Sequence, residues 1–244
     1  CDLYLLCILV KNEEVFMSEK FTDRIYPRVK EIWDACFNHP FVQEMGDGSL
    51  DLDSFKHWVK QDYVYLIEYA RLFAIGTAKS PDLESMNSFA KGLEGILFME
   101  MDLHRSYAKN FSISEDELEA TEPSAINTAY TSYMLNKAQA GGVENVAAAL
   151  LACSWSYSYI GLKLAEIPGA LEDENYGSWI EMYSSDEFTE LNENAMKLMN
   201  KLTEGKPERE LIDLEEIIVK TGYFEYMFWD MCYNKETWPI DIYP

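Results

Sequence analysis

Positive charge is in short supply. Twenty Lys and Arg stand against 43 Asp and Glu, for a formal net charge of −23 and a pI near 4.4. Such a balance argues against nucleic acid as a partner, because phosphates need a basic surface, and against anionic membrane surfaces for the same reason. Cysteine is sparse as well: Cys1, Cys7, Cys36, Cys153 and Cys232 are scattered singly, with no CxxC pair. An odd count without paired spacing indicates neither a disulfide scaffold nor a zinc site, and fits a reducing compartment. The three histidines, His39, His57 and His104, stand in unrelated contexts. His104 follows Glu100 by four residues, whereas a Glu-x-x-His di-iron motif needs three and a second copy, so no metal is expected. Also missing are a phosphate-cradling GxxxxGK or GxGxxG, sustained strand-type alternation, repeats of fixed period and low-complexity linkers.

Long hydrophobic runs are absent too. The opening segment CDLYLLCILVKNEEVF has an apolar part too short to span a bilayer, and no basic stretch precedes it. Cys1 opens the sequence and MSEKF at Met17 reads as a natural start. Residues 1–16 are therefore expected to be an extension, with a lipoprotein cysteine as the rival reading, and residues 17–244 to be one helical domain.

What is present is apolar bulk: 48% hydrophobic and 14% aromatic residues in a chain of 244, enough for one sizeable core. Ser18 is a candidate cap for a helix whose apolar positions Phe21, Ile25, Val29, Ile32 and Cys36 share a face, with a kink at Pro27. NHPFVQEMGDGSL breaks the pattern, and Asp53 is the expected N-cap of a long helix to about Ala78. A second long helix is expected after Pro81, reaching Phe111. Others are read over Ser124–Gln139, Val143–Glu166, Tyr176–Tyr183, Asp186–Thr203 and Glu208–Lys235, with breaks at Gly141, Gly142, Pro168 and Pro207. The fold class is all-α.

Three helices carry candidate chemistry. In WVKQDYVYLIEYARLF, Asp62 and Tyr65 share a face with Tyr69 one turn on, and Asp62 lies at the apolar side, which is costly for a carboxylate without a partner. In TGYFEYMFWDMCY, Glu225 is embedded among Tyr223, Phe224, Tyr226, Phe228 and Trp229, where desolvation raises a carboxyl towards the range of a general acid. ALLACSWSYSYIGLKL holds a lone thiol, Cys153, with Tyr157 one turn further. Plain core packing is the rival reading for each: a satisfied aspartate, an aromatic core, a small buried hydrophobe.

HPFVQEMGDGSL, FKHWVKQDYVYL, EMDLHRSYA, TAYTSYM, LLACSWSY, WIEMYSSDEF and YFEYMFWDMCYNKE, in this order from Phe21 to Trp238, resemble the TenA-type thiaminase II family of thiamin salvage. The resemblance implies an all-α, haem-oxygenase-like domain that assembles as a homotetramer and needs no cofactor. It implies Cys153 as nucleophile, Glu225 as acid/base and Asp62 as the group that binds and helps to activate an aminopyrimidine ring. Tyr65, Tyr130, Tyr157 and Tyr183 match the family's contacts around that ring. Residues 1–16 have no counterpart in the family, and Ser154 stands where several members carry an aromatic.

The expected activity is hydrolysis of aminomethylpyrimidine, and more slowly thiamin, to hydroxymethylpyrimidine in the cytoplasm. A non-catalytic pyrimidine binder and a redox or di-metal enzyme on the same scaffold are the alternatives. The former would bind without turnover; the latter would purify with stoichiometric iron or manganese.

Overall fold

The computed structural model describes residues 20–240. The expected extension at 1–16, the start at Met17 and the cap at Ser18 lie outside them. Eleven α-helices and one π-helical turn make up the described residues, with no strand among them.

Helix α1 (Phe21–Phe37) buries Phe21, Ile25, Val29, Ile32, Trp33 and Cys36, and Pro27 sits within it without ending it. Its N-cap is Lys20. Helix α2 (Pro40–Asp47) corrects the expectation of a loop over NHPFVQEMGDGSL. Pro40 stands at the first helical position, where it starts rather than stops a helix, and the His39 ring accepts the Phe41 N–H at 3.1 Å. Gly48, at φ 78°, ends it in the left-handed region.

Helix α3 (Leu52–Lys79) begins at Asp51, so Asp53 is a first-turn acid and not the cap. The helix expected after Pro81 is α4 (Leu83–Glu94) and α5 (Met101–Asn110), separated by a π turn over Gly95–Glu100. A wider turn shifts the register. Leu97, Phe98 and Met99 therefore stay exposed, while Met101, His104 and Tyr107 face inward beyond it. A short α6 (Glu115–Glu119), capped by Ser114, follows.

Helix α7 (Ala125–Ala140) is capped by Ser124. Helix α8 (Val143–Ala165) is buried on nearly every side and packs against α1, α3, α7, α9 (Gly177–Ser184), α10 (Asp186–Thr203) and α11 (Glu208–Asn234). A helix apolar all round belongs at the centre of a bundle. Gly161 lets α9 approach: a Cβ there would lie 2.5 Å from the Tyr183 carbonyl carbon and oxygen. No described helix is long and apolar enough to cross a membrane.

Candidate active site

Five helices turn chemistry-bearing side chains towards one another around α8. Asp62, Tyr65 and Tyr69 come from α3, Tyr130 from α7, Cys153 and Tyr157 from α8, Tyr183 from α9 and Glu225 from α11. The residues singled out in the sequence thus meet, although they lie far apart along the chain. Tyr130 Oη donates to Glu225 Oε1 at 2.5 Å. The Tyr65 ring lies 5.3 Å from both Tyr69 and Tyr130, and its buried hydroxyl, with no well-aligned hydrogen bond among the described residues, lies close to the Cys153 thiol. On the other side, Tyr157 packs 4.9 Å from Tyr183, 5.2 Å from Trp229 and 5.7 Å from Trp179.

Burial sets the electrostatics. It pushes the Glu225 carboxyl up to about 8; the Tyr130 hydrogen bond works against that rise and the Asp62 charge adds to it. The Cys153 thiol is raised well above its ordinary value, by burial first and then by the Glu225 charge, with the Tyr65 hydroxyl pulling the other way. Thiol and carboxyl are thus close enough to act on each other's ionisation. Burial likewise keeps the phenols of Tyr65, Tyr130, Tyr157 and Tyr183 protonated, as hydrogen-bond donors. Cys153 is half-buried, between the buried Ala152 and Ser154 of α8.

Ser154, next to the thiol in the chain, turns its hydroxyl to Leu151 O at 3.3 Å and Asn192 Oδ1 at 3.4 Å. Two hollows on the surface, of about 440 Å³ beside Arg105 and Leu118 and about 430 Å³ beside Arg71 and Asn127, are lined by none of these groups. Among the described residues no three His, Cys, Asp or Glu side chains are arranged to hold a metal ion.

Sequence reasoning missed His104 and Glu100. Fully buried His104 places Nε2 2.6 Å from Asp62 Oδ2, while its Nδ1–H donates to the Glu100 carbonyl at 2.9 Å. The spacing of four between Glu100 and His104 is visible in the sequence, where it reads only as a failed metal motif. The Glu100 carboxyl is pushed up to about 7 by burial, which outweighs the pull of His104; Asp62 adds to the rise.

The chain is similar to known proteins. The chain is 50% identical to the aminopyrimidine aminohydrolase of Halalkalibacterium halodurans over 89% of this chain and 97% of that protein. To the aminopyrimidine aminohydrolase of Helicobacter pylori it is 41% identical, over 86% and 97%. Among solved structures, the TenA homologue of P. horikoshii OT3 superposes with a TM-score of 0.81 at 27% identity, covering 88% of this chain and 99% of that one. A Shewanella denitrificans domain with a heme oxygenase-like fold gives 0.70 at 14% identity, over 87% and 91%, and shows the fold. The model of the TENA/THI-4/PQQC family matches residues 26–235, and the chain belongs to that family.

Proposed function

We propose that this protein is an aminopyrimidine aminohydrolase of the thiaminase II type. It converts 4-amino-5-aminomethyl-2-methylpyrimidine, and more slowly thiamin, into the hydroxymethylpyrimidine by covalent catalysis at Cys153. The observation that carries the reading is a thiol beside a carboxyl that is hydrogen-bonded to Tyr130 and held at about 8 among buried aromatic rings. The names of its relatives support the substrate class.

The pyrimidine ring is electron-poor, and the thiol adds across a ring C=N bond: sulfur bonds to carbon and a proton reaches the ring nitrogen, where Asp62 is the partner. Electron density placed in the ring breaks the bond from the 5-methylene carbon to its amine, which leaves with a proton from Glu225. Water adds at the methylene carbon and returns a proton to Glu225. Collapse of the adduct then restores the thiol as the hydroxymethyl product departs. A carboxyl near 8 is matched to this duty, since an acid/base works best close to the operating pH, and such transfer is worth about 10²–10⁴-fold. Tyr65 and Tyr130 orient the thiol and Glu225, while Tyr157 and Tyr183 face the ring.

Cys153→Ser tests the reading. Turnover of aminomethylpyrimidine is expected to collapse by several orders of magnitude while folding and pyrimidine binding survive; near-parental turnover would overturn covalent catalysis. Parallel assays of formylaminopyrimidine and thiamin rank the substrates. We further propose a cytoplasmic homotetramer. The exposed Leu97, Phe98 and Met99 supply apolar surface for contact between copies, and a monomer at micromolar concentration in sedimentation would contradict the assembly.

A further inference from the structure

His104 has no place in the mechanism above, yet it is fully enclosed beside it. Its surroundings decide its protons. A backbone carbonyl can only accept, so the 2.9 Å contact from Nδ1 to Glu100 O requires a proton on Nδ1. Nε2 then stands 2.6 Å from Asp62 Oδ2, closer than a bare nitrogen lone pair and a carboxylate oxygen approach, although the two are not aligned as a straight hydrogen bond. One proton therefore lies between Nε2 and Oδ2, and because its acidic neighbours hold His104 above its ordinary range the ring keeps it: both ring nitrogens carry protons, as an imidazolium against Asp62.

The charges around it agree. Asp62 faces it from α3 and Glu100 from the π turn. Beyond them stand Cys153 and Tyr157 of α8, Tyr183 of α9, and Glu225 and Cys232 of α11, all within the field of Asp62. All of these are acids, phenols or thiols, and His104 is the one base among them. Burial alone would lower the imidazole, but Asp62 and Glu100 outweigh it and leave His104 above its ordinary range. The Trp58 ring, tilted at 5.5 Å, covers the cation and donates Nε1–H to Tyr157 Oη at 3.4 Å.

We propose that His104 is a positioning residue. Held by the Glu100 carbonyl, it engages Asp62 through Oδ2 and leaves Oδ1 for the pyrimidine. No hydrogen bond from another described residue claims Oδ1. The π turn is the device that aims it, since the change of register brings Met101 and His104 inward after the exposed Leu97–Met99 segment. The role assigned to Asp62 rests on the function proposed above; the proton count on His104 does not.

Imidazole ¹⁵N spectra of the labelled, unmodified protein at pH 7 test the pair directly. Both His104 nitrogens are expected at protonated frequencies, and a single protonated nitrogen would overturn the inference. His104→Gln, whose amide can replace the Nε2–H donor, is expected to keep hydroxymethylpyrimidine affinity by calorimetry, and kcat/KM, within about tenfold. His104→Leu is expected to lose roughly 10²-fold in both, the scale of a misplaced catalytic group. Equal losses in the two variants would overturn the positioning role. If His104→Leu fails to fold, the spectra and the glutamine variant decide. A doubly protonated His104 in a protein without aminohydrolase turnover would remove the proposed function and leave the ion pair standing.

Discussion

The Tyr130 hydroxyl on α7 donates to Glu225 Oε1 on α11 at 2.5 Å, and both groups are almost completely buried. This bond favours the ionised carboxyl and opposes the burial that holds Glu225 near 8. In Tyr130→Phe the Glu225 carboxyl is expected to rise further, moving the alkaline limb of the kcat/KM profile to higher pH. Loss of the donor also costs about 1–3 kcal/mol of stability. Rate profiles of the two proteins between pH 6 and about 10 check the direction; a limb that moves down contradicts it.

The Cys153 thiol is expected to alkylate slowly at neutral pH and faster as pH rises, because burial and the nearby Glu225 charge disfavour the thiolate. The hydroxymethylpyrimidine product should protect it. Cys36 and Cys232, both at 0% exposure, should lag behind the half-buried Cys153. Mapping iodoacetamide adducts by mass spectrometry over time tests the order, and earlier modification of either buried thiol would refute it.

Stability is expected to fall as pH rises from about 4.5 to about 8. Glu225 has its ordinary value of 4.5 in the unfolded chain and about 8 in the fold, so across this window the native state holds the extra proton. Stability is thus full below the lower value and is lost on passing the upper one, by about 1.4 kcal/mol per pH unit for one such group. Glu100, at about 7, acts in the same sense. Denaturant titrations at pH 5, 6, 7 and 8 should show a shallower decline in Glu225→Gln than in the parent.

Gly161→Ala should act on the site through α9. The added methyl meets the Tyr183 backbone at 2.5 Å, so α9 must move away from α8 and take Tyr183 from its place 4.9 Å from Tyr157. Overpacking of this kind costs about 1–3 kcal/mol. Calorimetry is expected to show a Tm lowered by several degrees. A raised KM for the pyrimidine should accompany it while Cys153 alkylation stays near parental. An unchanged Tm would show that the two helices have slack.

Much of this was legible along the chain. The stripe Phe21, Ile25, Val29, Ile32 and Cys36 repeats at helical spacing and is buried as a stripe. Asp186–Thr203 occupies the span its pattern predicts, because Ser185 caps it and apolar spacing continues to Thr203. Pro40 misled, being a breaker inside a helix and a starter at its first turn. The interruption at Gly95–Glu100 left no local signal, since one extra residue per turn shifts register without altering composition.

The sequence by itself determined the all-α class, most helix spans and the residues of suspect chemistry, because periodicity, capping and desolvation cost are properties of neighbours along a helix. Only the tertiary structure decided that Asp62, Cys153 and Glu225, from three helices, come within reach of one another's charge, and that His104, which the sequence left without a role, stands against Asp62. Meetings between distant residues depend on how helices cross and on where a π turn rotates a face. That information lies in the packing of side chains from different segments, which no single stretch of sequence contains.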